Sequence, residues 1–214
     1  LPAPSPRGQQ NQEVRIVSAG VKNQPLTRVF NVPNQLTTAR LALSIVLFVL
    51  IAREMYEASL VVFLIAAGTD WMDGYYARKY GQVTVLGRIL DPFVDKIIIC
   101  GSFIYLATLV RDGSGISAWM AVVVVGRELL VTALRSFLEG EGADFSAQMS
   151  GKLKMVFQCA AVALSLHHLA QERSPAWLET SLPVVVWIAI GLTIYSGVSY
   201  ILAAIRLFNR DARP

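Results

Sequence analysis

The sequence predicts an all-α fold: a polytopic membrane bundle of six transmembrane helices, with an acidic metal site between helices 2 and 3 at the cytoplasmic side. Three observations carry this expectation. The 214-residue chain is 54% hydrophobic and 16% charged, with a mean hydropathy of +0.51, whereas soluble domains carry about 25% charged residues. Six apolar runs recur along it, each near the roughly 20 residues that a helix needs to cross a hydrocarbon core of about 30 Å. Carboxylates then repeat at helical spacing where the second run passes into the third. Composition thus excludes both an ordinary soluble enzyme and a disordered chain. The formal charge of +4 and pI near 9.2 fit a nucleic-acid binder or a membrane protein, and the apolar runs decide for the membrane and against nucleic acid. Cys100 and Cys159 both lie inside apolar runs, which rules out a disulfide scaffold or zinc-ribbon spacing.

Residues 1–30 are Pro-, Gln- and Asn-rich with isolated charges and read as a flexible cytoplasmic arm. They show no signal-peptide pattern. The first span, 36–52, follows the segment N-V-P-N-Q-L-T-T-A-R at 31–40, where Asn34 suits a helix cap and Arg40 a snorkelling interface position. The other spans are read at 58–76, 93–110, 116–138, 153–169 and 183–207, and a short cytoplasmic tail follows at 209–214. Polar connections at 53–57, 111–115 and 171–175 are short enough to join antiparallel helices. Orientation follows from the basic residues. With the N-terminus in the cytoplasm, only Arg53, Arg111 and Arg173 of the 19 Lys and Arg fall outside, while Arg206, Arg210 and Arg213 return inside. The protein is therefore expected in the cytoplasmic (inner) membrane, with both termini and the site facing the cytoplasm.

The segment T-D-W-M-D-G-Y-Y-A-R-K-Y-G-Q-V-T-V-L-G-R-I-L-D-P-F-V-D-K, residues 69–96, places four carboxylates at the inner ends of the second and third spans. A carboxylate at the centre of a membrane helix costs about 2.5–3.5 kcal/mol on insertion scales, so four require a reason. Asp70 and Asp73 are three apart, and Asp91 and Asp95 four apart, so each pair shares a helix face. Gly74 and Ala77 lie on the Asp70 face and Gly87 stands four before Asp91, leaving a face that is acidic and otherwise nearly bare. Pro92 biases Asp91 away from helical geometry, so the third helix is expected to begin or kink there. Clustered carboxylates suit hard divalent cations, and Mg2+ commonly works with substrate phosphates. Two such ions bridged by shared carboxylates stabilise the attacking and leaving oxygens of a phosphoryl transfer. The alternative is a salt-bridge network of these acids with Arg78, Lys96 and Arg127.

The spacing D-x-x-D-G-x-x-A-R-x(8)-G-x(3)-D-x(3)-D is met at every specified position, by Asp70, Asp73, Gly74, Ala77, Arg78, Gly87, Asp91 and Asp95. It resembles the signature of the CDP-alcohol phosphatidyltransferase family, and with the six-span layout the resemblance covers residues 31–208. It implies transfer of a phosphoalcohol group from a CDP-linked donor to an acceptor hydroxyl, with release of CMP. It implies further that Asp70, Asp73 and Asp91 hold one metal ion and Asp70, Asp91 and Asp95 a second, Mg2+ or Mn2+. Asp95 would accept the proton of the attacking hydroxyl. Gly74 would admit the nucleotide, Arg78 would pair with the diphosphate, and Thr84 would add a hydroxyl contact. The P-N-x-x-T segment makes Asn34 and Thr37 donor-site candidates. The resemblance also implies homodimerisation, for which no small-residue interface motif stands out.

The acceptor is sought in G-R-E-L-L-V-T-A-L-R-S-F-L, residues 126–138, and G-K-L-K-M, residues 151–155. Arg127 and Arg135 are eight apart, near one face, and Lys152 opens the fifth span. Cations beside the metals suit an acceptor that itself carries phosphate, because Arg presents a fork of donors to phosphate oxygens. The competing reading pairs Arg127 and Glu128 with other buried charges and leaves Lys152 and Lys154 as markers of the inner boundary. Lys154 faces away from Lys152 on a helix, so only one of the two is expected to reach the pocket. These stretches and L-D-P-F-V-D-K most resemble family members that join CDP-diacylglycerol to sn-glycerol 3-phosphate. Inositol phosphate, serine and phosphatidylglycerol are the other acceptors. A prenyltransferase would normally need more spans, and a cation transporter would place its acids near mid-membrane. His167 and His168, near the outer end of the fifth span, read as interface residues.

Overall fold

The computed structural model describes residues 32–80, 85–140 and 149–211, and side chains for 38–69, 93–94, 96–135 and 153–206. Among the described residues there are six α-helices and no strand: α1 (Val32–Ala52), α2 (Tyr56–Tyr80), α3 (Val85–Thr108), α4 (Ala118–Gly140), α5 (Met149–Leu169) and α6 (Ala176–Asp211). The N-terminal arm expected over residues 1–30 lies outside the described residues.

The connections at one end of the bundle are tight, and each has a local cause. After α1 the chain turns at Glu54, whose φ of 59° is left-handed. Its amide donates to Ile51 O and that of Met55 donates to Leu50 O, both at 3.0 Å. This is a Schellman closure with Glu where Gly is usual. Tyr56 then opens α2, and burial together with the nearby Glu54 and Asp112 raises its phenol above the usual value. Between α3 and α4 a 3-10 turn (Val110–Asp112) ends on Gly113 at φ 99°, and Gly115 follows at φ 72°. The fully buried Ser114 between them donates to Leu106 O at 2.7 Å and accepts from the Ile116 amide at 3.3 Å. His168 and Ser174 are 2.8 Å apart across the α5–α6 connection, and His167 stacks on Trp177.

The helices alternate in direction. α1 packs on α2 and α3, α4 on α3 and α6, and α5 on α2, α3 and α6. Phe63, Phe103, Leu106, Val124, Val162, Leu166 and Ile190 fill the centre and are almost fully excluded from solvent. The outer surface is apolar instead of charged: Val122, Leu129 and Val156 are 70%, 65% and 64% exposed, while Glu128 and Lys154 on the same helices are buried. A water-soluble bundle would reverse that order.

Among the described residues one stretch, Ala176–Arg206 in α6, is long and apolar enough to cross a membrane. Its 31 residues span about 46 Å at 1.5 Å per residue. The apolar stretches Thr38–Ala52, Tyr56–Thr69, Lys96–Thr108 and Leu153–Leu169 are shorter, and α4 carries Arg127, Glu128 and Arg135. Two local expectations change. α3 does not begin at Pro92 but at Val85, seven residues earlier, since the bias on a residue before proline is a preference that helix packing overrides. Arg40 is buried at 4% exposure instead of snorkelling. The small side chains of Ala66 and Ala67 leave a cleft against α1, which Arg40 lines.

Candidate active site

The alternation of helices, with short connections at 53–55, 109–117 and 170–175, brings specific helix halves to the opposite end of the bundle. Those are the first half of α1, the second half of α2, the first half of α3, the second half of α4, the first half of α5 and the second half of α6. Nearly every residue singled out in the sequence sits on one of them. Asp70 and Asp73 are within α2, and Asp91 and Asp95 within α3. Each acidic pair is therefore one helical turn apart on a single face. Asn34 and Thr37 are in the first turns of α1, Gly74 and Arg78 in α2, and Lys152 in α5. The side chains of these residues lie outside the described residues, as does Thr84 entirely. Among the described residues no three metal-capable side chains meet.

Arg127 and Arg135 are described, and both are engaged. Arg127 has a side chain 9% exposed and lies 3.2 Å from Glu128 Oε1 through Nη1. Its Nη2 donates to Ser196 Oγ on α6. Its guanidinium lies over the Tyr200 ring, 5.6 Å from the centroid. Arg135 Nη2 donates to the Tyr200 hydroxyl at 3.2 Å. Glu128 also accepts from Lys154 of α5, whose side chain is 7% exposed. Lys96 of α3, the residue after Asp95, donates to Thr132 of α4. It feels the charges of Glu128, Arg135 and Arg127. Thr132 in turn donates to the Glu128 carbonyl at 2.6 Å.

Two cations, Arg127 of α4 and Lys154 of α5, thus share one carboxylate, while Lys96 and Arg135 are held by Thr132 and Tyr200. Burying charges is tolerable only when they are paired and hydrogen-bonded, and Glu128 supplies that pairing for Arg127 and Lys154. Arg127 and Glu128 pair with each other, and Lys154, which the competing reading left at the boundary, is a buried member of the same network. Neither guanidinium is saturated, however. The Nε atoms of Arg127 and Arg135 are buried and, among the described residues, have no hydrogen-bond acceptor. A phosphate, with several acceptor oxygens, is the ligand chemistry that such donors fit.

Sequence reasoning missed Ser196, Gly197 and Tyr200. Their signal was a polar S-G-x-x-Y in an otherwise apolar α6, which points to a helix face turned inward but not to what it meets. Gly197 matters because Arg127 passes it closely: a Cβ there would stand 3.3 Å from Arg127 Cγ.

Comparison with known proteins accords with this geometry. The CDP-alcohol phosphatidyltransferase family model matches residues 30–195, and the chain belongs to that family. It is 37% identical over 192 residues to the CDP-diacylglycerol--glycerol-3-phosphate 3-phosphatidyltransferase of Bacillus subtilis (strain 168), covering 80% of this chain and 94% of that protein. The protein of the same name from Rickettsia bellii (strain RML369-C) is 34% identical over 182 residues, 83% of this chain and 97% of the relative. Cardiolipin synthase (CMP-forming) of Oryza sativa subsp. japonica is 30% identical over 201 residues, 86% of this chain and 60% of the rice protein.

Proposed function

We propose that this chain transfers the phosphatidyl group of CDP-diacylglycerol to sn-glycerol 3-phosphate, releasing CMP and phosphatidylglycerophosphate. The observation that carries the reading is the eight-position signature from Asp70 to Asp95, set on α2 and α3, with the Arg127 side chain largely enclosed near the middle of α4. The names of the bacterial relatives support the same donor and acceptor.

Asp70, Asp73, Asp91 and Asp95 offer the hard oxygen donors that two Mg2+ or Mn2+ ions require. When bound, the ions neutralise charge on the donor diphosphate. Asn34, Thr37, Gly74, Arg78 and Thr84 hold the CDP moiety. Arg127 and Arg135, with Lys152, receive the acceptor phosphate and so aim the glycerol hydroxyl at the donor. Asp95 takes the hydroxyl proton as oxygen attacks the phosphorus that carries diacylglycerol. The bond from that phosphorus to the CMP oxygen breaks, and CMP leaves. Six spans hold this site at the cytoplasmic face of the inner membrane, with both chain ends inside and a second copy as partner. The exposed apolar side chains around the bundle support the membrane placement.

Purified protein given CDP-diacylglycerol and Mg2+, with glycerol 3-phosphate, inositol 1-phosphate, serine or phosphatidylglycerol offered separately, tests the reading by CMP release. Release is expected with glycerol 3-phosphate alone. It should stop with a chelator and fall at least about 100-fold in Asp95→Asn, the usual scale for losing a general base. Release with phosphatidylglycerol alone would overturn the acceptor assignment and replace a soluble phosphate ester by a lipid. No release with any acceptor would overturn the reading.

A further inference from the structure

We propose that Tyr200 is a positioning residue that locks Arg127 and Arg135 into a single phosphate-receiving pair, in a cradle completed by Ser196 and Gly197. The inference rests on the acceptor assignment above and goes beyond it. All three α6 residues fall after residue 195, where the family match ends.

Arg127 and Arg135 are two turns apart on α4, about 12 Å along the axis at 1.5 Å per residue. Long cationic side chains at that separation have many rotamers and repel one another, so nothing on α4 alone brings their donors together. The α6 face does so. The Tyr200 ring lies beneath the Arg127 guanidinium, 5.6 Å from its centroid, where the negative face of the ring attracts a cation. The hydroxyl of the same ring accepts from Arg135 Nη2 at 3.2 Å. One rigid side chain, 4% exposed, therefore anchors both arginines at opposite ends of its length.

One turn earlier, Ser196 accepts from Arg127 Nη2. Gly197 leaves space for the Arg127 stem, which a Cβ would meet at 3.3 Å. With those donors occupied, Arg127 and Arg135 each retain a buried Nε–H that has no acceptor among the described residues. Two oriented cations with unanswered donors are prepared for an anion before it arrives, and preorganisation of this kind acts on binding. The ligand class is a phosphomonoester on a small polyol, not the diphosphate of the donor.

Steady-state kinetics in mixed micelles separates this role from a merely structural one. Tyr200→Phe keeps the ring and removes the hydroxyl, so KM for glycerol 3-phosphate should rise about tenfold, the scale of one hydrogen bond to a charged group. The kcat and the KM for CDP-diacylglycerol should stay within about twofold. Tyr200→Leu, which also removes the cation–π contact, should raise the acceptor KM further. The thermal transition of Tyr200→Phe, followed in parallel, should match wild type. An unchanged acceptor KM in Tyr200→Phe, or an equal loss toward both substrates, would overturn the proposal while wild type still turns over. Wild type that fails with glycerol 3-phosphate would instead remove the acceptor reading, and this inference with it.

Discussion

Replacing Glu128 by Gln removes the one carboxylate that, among the described residues, faces the cations of α3, α4 and α5. The oxygen Oε1 takes both Lys154 Nζ and Arg127 Nη1. The three side chains are 7% to 11% exposed, so water cannot replace what is lost. Breaking a buried pair by neutralising one partner costs about 3–5 kcal/mol, because the surviving charge stays buried. Arg127 keeps Ser196 and Tyr200, which places Glu128→Gln near the lower bound, about 3 kcal/mol. Lys154→Met should cost a similar amount or somewhat less, because the buried carboxylate is left with Arg127 as its partner. The double variant should not cost the sum: neither a buried ammonium nor a buried carboxylate is then left without the other, and Arg127 keeps Ser196 and Tyr200. The expected coupling is at least about 2 kcal/mol, within the range seen for residues in one network. Reversible unfolding in mixed micelles, followed by tryptophan fluorescence for wild type, both single variants and the double, measures it. Additive losses would refute the reasoning, since they would mean that Lys154 and Glu128 do not hold each other.

Two further predictions concern the opposite end of the bundle. Glu54→Gly should stabilise the protein by about 0.5–1 kcal/mol: the left-handed conformation costs a side-chain-bearing residue about 1–2 kcal/mol, offset in part by the greater chain entropy of glycine. A rise in the same unfolding midpoint checks it. Ser114→Ala should cost about 1–3 kcal/mol, because the Leu106 carbonyl and Ile116 amide both lose a buried hydroxyl partner, and faster amide exchange at Ile116 would report the opening locally.

What the sequence made legible differs from one half of the site to the other for a physical reason. The acids of α2 and α3 declare themselves because their meaning lies within a helix. Offsets of three and four define a face without any knowledge of packing, and four carboxylates in apolar runs are too costly to be incidental. The cation cluster is assembled between helices. Arg127, Ser196 and Tyr200 are related only through the contact of α4 with α6, and no spacing in either segment encodes it. Arg40 shows the same limit. A lone arginine at a span end resembles an interface residue until the small Ala66 and Ala67 opposite it are seen to leave room inside. The start of α3 was misjudged differently, since Pro92 carries a strong local bias that the longer helix overrides.

The unequal legibility bears on how the two charges are kept apart. Among the described residues Arg127 and Lys154 pair with Glu128 and Arg135 with the Tyr200 hydroxyl, so this α4–α5–α6 cluster holds three cations against one carboxylate. Asp70, Asp73, Asp91 and Asp95 stand on α2 and α3 at the same end of the bundle, in stretches that also carry Arg78, Lys79, Arg88 and Lys96. Were the two sets free to meet, they would neutralise each other and leave nothing for substrate. Glu128 and Tyr200 oppose that collapse by tying Arg127 and Arg135 toward α5 and α6. On the proposed function, the carboxylates of α2 and α3 would then be left to the metal ions, and the buried Nε donors to phosphate. Loosening the cradle should therefore do more than weaken acceptor binding. In Tyr200→Leu a released arginine would compete with the cations for the acids, so the Mg2+ concentration giving half-maximal rate should rise alongside the acceptor KM. An acceptor KM that rises while the Mg2+ requirement stays fixed would mean that the two charge sets are insulated by distance alone.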